Sequence, residues 1–141
     1  MKFFCLLLCA SLVSIFSQDS RMQLVSHKWK QVGIKSFGKK YQAVNASEKV
    51  MILDRNGSYE ETLYGQMKIK GHWKFNQDST RLAFEVFEYN GVKVPGGYLD
   101  KMLPTDSIMR LTKDTLIYAS LAYHGPKKVY GHTDWYFVRE K

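Results

Sequence analysis

Two neighbouring carboxylates, Glu60 and Glu61, are the first candidates for acid–base chemistry in this chain of 141 residues. Such work needs both groups to face one substrate. Successive residues of a strand point to opposite faces, so Glu60 and Glu61 cannot act as each other's partner. The four histidines, His27, His72, His124 and His132, have none of the close spacings that bring two imidazoles onto one metal. Asp54-Arg55-Asn56-Gly57-Ser58, with Glu60, is rich in oxygen. It lacks the spacing and the closing bidentate acid of a calcium loop, and a tight turn accounts for every residue in it. No G-x-S-x-G elbow occurs. Both cysteines, Cys5 and Cys9, lie in the apolar N-terminal run. The rest of the chain therefore has no thiol for a disulfide, a nucleophile or a metal. What remains legible is binding, with no catalytic set, no cofactor and no metal.

The elements that must position binding groups are strands. Gly71, Trp73 and Phe75 fall on one face of a strand, with His72 and Lys74 on the other. Leu82, Phe84 and Val86 share a face of the next strand, opposite Glu85, Phe87 and Tyr89. Glu61 shares a face with Tyr59 and Leu63 and is expected either inward, as a polar contact, or at the rim in solvent. Further strands are expected over Trp29 to Ile34, Val50 to Leu53, Ser58 to Tyr64, Ile108 to Leu111, Thr115 to Tyr123 and Trp135 to Arg139. Asn56-Gly57 predicts a type I′ hairpin turn, and a second Asn-Gly stands at Asn90-Gly91. Val44 to Val50 has room for one helical turn and no more. Pro95-Gly96-Gly97 makes Val92 to Pro104 an irregular segment. About eight or nine strands in series, joined by tight turns, give the pattern of an all-β barrel or sandwich. A single antiparallel up-and-down β-barrel removes the exposed sheet edges.

The ends bound the compartment. Lys2, the apolar run from Phe3 to Val13 and the polar Gln18-Asp19-Ser20-Arg21 form the pattern of a secretory signal peptide cleaved after Ser17. The run is shorter than a spanning helix needs. The expected domains are a signal peptide over 1–17 and a barrel over 18–141, with no transmembrane segment after cleavage. Lipid anchoring at Cys9 is the lesser alternative, since Leu8 stands where a small residue is expected. The formal net charge of +8 is spread over Lys39-Lys40, Lys68-Lys70-Lys74 and Lys127-Lys128. That reads as the solvated outer faces of strands and not as a nucleic-acid surface.

The pattern resembles the small bacterial lipocalin-like domains over most of residues 24 to 139. The resemblance rests on a first strand from Leu24-Val25-Ser26-His27-Lys28-Trp29-Lys30 and a hairpin around Leu53-Asp54-Arg55-Asn56-Gly57-Ser58-Tyr59. Gly71-His72-Trp73-Lys74-Phe75 follows, then Leu82-Ala83-Phe84-Glu85-Val86 and Ile108 to Tyr118. It implies a barrel, export to the periplasm or beyond, and a cavity for an apolar ligand. Larger lipocalins carry G-x-W on the first strand. Here His27 stands where that glycine would be, and Thr133-Asp134-Trp135 lies on the last strand, so no classical ligand residue is carried over.

The expected ligand residues are Trp29, Tyr59, Glu61, Trp73, Phe75, Phe84 and Tyr118. The partner they suit is a hydrophobic or amphipathic small molecule, or a lipid. The rival expectation is a filled barrel with no small-molecule ligand. Its outer face or its Val92 to Pro104 segment would then meet another envelope protein.

Overall fold

Along Met67–Phe75 the side chains alternate as expected: Gly71, Trp73 and Phe75 are buried, while Lys70, His72 and Lys74 are exposed. This is strand β5 of a computed structural model that describes residues 19–45, 48–94, 106–124 and 129–141. The expected leader over 1–17 and Cys9 lie outside the described residues. So do most of Val92 to Pro104 and the turn at Gly125-Pro126. The strands are β1 (Lys28–Ser36), β2 (Gln42–Ala43), β3 (Lys49–Leu53), β4 (Ser58–Leu63), β5 (Met67–Phe75), β6 (Arg81–Tyr89), β7 (Val92–Lys93), β8 (Asp106–Leu111), β9 (Thr115–His124) and β10 (Val129–Arg139). They form one antiparallel sheet, and β10 pairs with β1 from Trp29↔Arg139 to Ser36↔Thr133. That pairing closes the sheet. The eight longer strands are the staves of a barrel, and the two-residue β2 and β7 are short additions to β1 and β6.

The turns follow the local chemistry, with one correction. Asn90 and Gly91 have φ of 49° and 80°, the two left-handed residues of a type I′ turn. At Asn56-Gly57 only Gly57 is left-handed, with φ 87°. The Gly57 N–H donates to the Asp54 carbonyl at 2.9 Å, and the Asp54 N–H to the Ser58 carbonyl at 3.0 Å. This is a three-residue loop, a type I turn followed by a left-handed glycine. The Asn56 side chain decides the outcome. Its Oδ1 accepts the Ser58 N–H at 2.8 Å, an Asx contact that favours an ordinary right-handed turn.

A second correction concerns the start. Residues 19–25 form a short helix, so Leu24 and Val25 do not open the first strand. The helix lies at the end of the barrel that holds the β3–β4, β5–β6 and β8–β9 turns. Val25 is fully buried and Met22 packs on the core. The Trp29 Nε1–H donates to the Val25 carbonyl at 2.8 Å. Above this helix end, Trp29, Met51, Leu53, Leu82, Leu116 and Phe137 are 0–1% exposed. Each such side chain contributes roughly 1.5–3 kcal/mol by leaving water. The helix end is packed solid by apolar side chains. The opposite end, called the mouth end below, holds the turns after β1, β4 and β6.

Among the described strands the register shifts at three places, one of them between Ile108 and Arg110 on β8, and the other two re-aim side chains around the interior. Between Lys70/Gly71 on β5 the register with β6 slips by one, with Ile69 opposite Tyr89 and Gly71 opposite Val86. Phe87 is the extra residue and leans on the outward His72, ring centres 5.0 Å apart. Tyr89 thereby joins the face of Ile69, which packs on the core. The simple alternation that placed Glu85, Phe87 and Tyr89 on one face fails at that bulge. The second, at Gln31/Gly33 on β1, brings Ile34 onto the same face as Trp135.

Candidate functional site

Toward the mouth end the interior changes from apolar to polar. Lys49 opens β3 and is held opposite Leu63, while Met51 is held opposite Glu61. Lys49 and Glu61 are thus diagonal neighbours on the inner face, a spacing that long side chains bridge. The Lys49 Nζ lies 3.1 Å from Glu61 Oε2, with side chains 12% and 7% exposed. The Tyr59 hydroxyl, two residues earlier on the same face, donates to the same Glu61 oxygen. The ammonium also stands 4.5 Å from the centre of the Trp135 ring and 5.9 Å from Phe137, within the reach of a cation–π attraction. Tyr118 faces Trp135 across β9 and β10 and stacks on Phe137 at 5.6 Å. One cation, one carboxylate, two phenols and an indole therefore meet inside the barrel.

Desolvation sets the protonation of this cluster. Burial pushes the Tyr59 hydroxyl far above its usual range, and the nearby Glu61 carboxylate adds to the push. Burial pushes Tyr118 up to about 12, with Lys49 opposing and Glu61 and Asp106 assisting. Burial alone would lower the Lys49 ammonium, but Tyr118 and Glu61 outweigh it and hold it above the usual lysine range. All three groups bind their protons more tightly in the folded chain than in the unfolded one. The Tyr118 contribution to stability is full below the ordinary tyrosine value of 10.0 and is lost as pH rises toward about 12, and those of Tyr59 and Lys49 begin to be lost once pH passes their own ordinary values. The melting temperature should fall steeply across that window. Ultraviolet titration should show two of the nine tyrosines ionising late, and together with unfolding. Nine tyrosines titrating together while the fold persists would contradict this picture.

A pocket of about 320 Å³ opens beside the cluster, lined by Gln31, Ile34, Val44, Glu48, Lys49, Glu61, Leu63, Tyr64 and Trp135. β2 pairs with Gly33 and Ile34 and β3 with Lys28 to Lys30, and between them the Val44 N–H donates to the Val32 carbonyl at 3.1 Å. The rim is pinned. Tyr64 takes a left-handed φ of 53°, and its N–H donates to the Glu48 carbonyl at 2.6 Å. Tyr64 itself is 71% exposed. The lining is amphipathic: Ile34, Val44, Leu63 and the Trp135 indole form its apolar part, and Gln31, Glu48, Lys49 and Glu61 its polar part. The Trp135 Nε1–H is already satisfied by Ser120 Oγ at 2.7 Å, which fixes the ring. A second depression of about 250 Å³ runs along β4 and β5 by Glu60, Thr62, Lys68 and Lys70. Among the described residues no group of histidine, cysteine, aspartate and glutamate is placed to hold a metal ion.

The seven residues expected at a ligand site fall into three places. Glu61 lines the pocket. Tyr59 and Tyr118 stand behind it on the Glu61–Lys49 pair, and Phe84 packs between them with ring centres 4.9 and 6.2 Å away. Trp29, Trp73 and Phe75 are 0, 3 and 7% exposed and belong to the packed helix end, away from this pocket. Sequence reasoning missed Lys49, Gln31 and Trp135. Lys49 directly precedes the apolar Val50 to Leu53 and fell within Val44 to Val50, the stretch given room for one helical turn. Its place is legible only through alternation with the buried Met51 and Leu53, which puts it on their face.

The fold and this interior define a closed, eight-stranded antiparallel β-barrel with a half-polar lumen. No protein-family model matches the chain, and no curated protein matches it. Among solved structures it is similar to a DUF4847 family protein from Bacteroides vulgatus ATCC 8482. The TM-score is 0.52 with 12% identity, over 84% of this chain and 95% of that one. The likeness is one of fold. It agrees with a lipocalin-like barrel, and no residue role passes from one chain to the other. No helix among the described residues is long and apolar enough to cross a membrane.

Proposed function

We propose that this chain is an exported binding protein whose barrel holds a small amphipathic molecule in the pocket beside Lys49 and Glu61. The observation that carries the reading is the division of the interior. One half is packed with apolar side chains, and the other pairs an apolar wall with a buried ion pair beside a pocket of about 320 Å³. Ligand sites are concave and mostly apolar, with a few placed polar groups, and the volume is at the lower end of their usual range. The Ile34, Leu63 and Trp135 surfaces would take the apolar part of the ligand. Lys49, Glu61 and Gln31 would orient its polar head. Export rests on the N-terminal pattern alone. Binding is preferred to catalysis because Lys49, Tyr59 and Tyr118 hold their protons tightly, whereas a general acid or base works near the ambient pH.

Fluorescence can test the site. Trp29 and Trp73 are buried at the helix end, and Trp135 alone of the three tryptophans lines the pocket. Titration with an anionic naphthalene sulfonate and with a long-chain alkylamine should give a saturable change in tryptophan emission for at least one of them. The change should vanish in Trp135→Phe, and for the anionic probe it should weaken at least about tenfold in Lys49→Met, the scale of a lost charged contact. If neither probe saturates, or if Trp135→Phe leaves the signal intact, the pocket is not a ligand site of this kind.

A further inference from the structure

We propose that the mouth end of the barrel docks end-on against an anionic lipid surface. The two ends of the barrel differ in the chemistry of their turns. At the helix end, Asp54-Arg55-Asn56-Gly57, Asn76-Gln77-Asp78-Ser79-Thr80 and Thr112-Lys113-Asp114 are wholly polar, and each contains an acid. At the mouth end, Phe37-Gly38-Lys39-Lys40, Tyr64-Gly65-Gln66 and Asn90-Gly91-Val92-Lys93 contain no acid at all. Each of these mouth-end tips presents one large apolar side chain: Phe37 is 61% exposed, Tyr64 71% and Val92 69%. Lys39, Lys40 and Lys93 are exposed beside them. The fourth strongly exposed apolar residue among the described ones, Met109 at 64%, is the extra residue of the register shift between Ile108 and Arg110.

Tips that combine an apolar side chain with lysine suit one occupant better than others. Apolar and aromatic side chains enter the headgroup region while the lysines meet anionic headgroups. A basic segment near such a surface is attracted by its potential. The strand registers place all three tips at the same end of the barrel. The outer wall offers no such surface. There Lys70 is opposed by Glu60 and Glu88 across neighbouring strands, and Lys28 and Lys30 both pair with Glu140 at 2.8 Å. Tyr64 belongs to both the tip and the pocket, so a docked barrel would open its pocket toward the bilayer. The docking itself does not depend on the pocket's being a ligand site.

Vesicle co-sedimentation of the full chain tests this, using phosphatidylcholine vesicles with and without phosphatidylglycerol, at low and at high salt. Retention should require phosphatidylglycerol and decline with salt. Two variants should each weaken it about tenfold or more: Phe37→Ser/Tyr64→Ser/Val92→Ser, and Lys39→Glu/Lys40→Glu/Lys93→Glu. All six positions are exposed, and unchanged melting confirms that the fold survives. A matched control at the helix end, Lys74→Glu/Lys113→Glu/Lys141→Glu, should stay within about twofold of the parent. Retention by neither vesicle type overturns the proposal and leaves the tips as a surface for a protein. Loss in the control equal to that in the tip variants also overturns it, as net charge would then explain the binding. Binding of the pocket probes in Lys39→Glu/Lys40→Glu/Lys93→Glu, whose three positions lie outside the pocket lining, is a separate readout, so docking and ligand binding can fail independently.

Discussion

Gly71→Ala should lower the stability of the barrel by about 3 kcal/mol, the upper range for overpacking a filled interior. A Cβ at Gly71 would lie 1.9 Å from the Glu85 carbonyl oxygen and 2.9 Å from its carbon. Both are backbone atoms of the neighbouring strand and cannot swing aside. The approach is close because the register slips between Lys70 and Gly71. Relief would require β5 and β6 to separate just where Trp73 and Phe75 enter the core. Gly38→Ala is the control. Gly38 has a left-handed φ of 70° but nothing within 4 Å of a Cβ, so only the backbone penalty of about 1 kcal/mol applies. Urea unfolding should show a larger fall in midpoint for Gly71→Ala at an unchanged slope. If the two variants are equally mild, the bulge is not a fixed feature of the barrel.

This result would also explain the Gly-His-Trp stretch. The glycine serves a bulge in the middle of the sheet, and the tryptophan fills the helix end, with its Nε1–H on the Asp54 carbonyl at 2.9 Å. Alternation made the strand and its buried face legible, because one face of β5 is wholly apolar or small. The bounds of β6, Arg81–Tyr89, also follow from the turn residues on either side. Bulges were not legible. Nothing in Glu85-Val86-Phe87-Glu88-Tyr89 says which residue is the extra one, since that choice is made by the contact between Gly71 and the Glu85 backbone. The helix over 19–25 was missed because it is too short for a helical period and its stability comes from docking Met22 and Val25 on the barrel. The barrel itself followed from strand number and turn spacing. The site was only half legible: the face shared with Tyr59 and Leu63 left Glu61 either inward or at the rim, and its partner Lys49 fell in the stretch Val44 to Val50, which was given room for one helical turn.

That partner gives the other large expected effect. Glu61→Gln should cost about 3 kcal/mol, because it leaves the Lys49 ammonium buried without its anion. Lys49→Met should cost a similar amount by stranding the carboxylate. Contacts alone would predict that removing both costs still more. Desolvation predicts the reverse: Lys49→Met/Glu61→Leu should return to within about 1 kcal/mol of the parent, since a buried pair and apolar side chains of similar volume are often equivalent. A double-mutant cycle in urea measures the coupling directly. Additive losses would mean that the pair is solvated through the pocket and is not a buried unit. The double variant also separates folding from function. If the pair contributes little net stability, its presence in an otherwise packable interior needs another cause, and a ligand's polar head supplies one. The refolded double variant should therefore keep its melting temperature and lose the saturable fluorescence response. A double variant that is stable and still binds the probes as the parent does would remove Lys49 and Glu61 from the site.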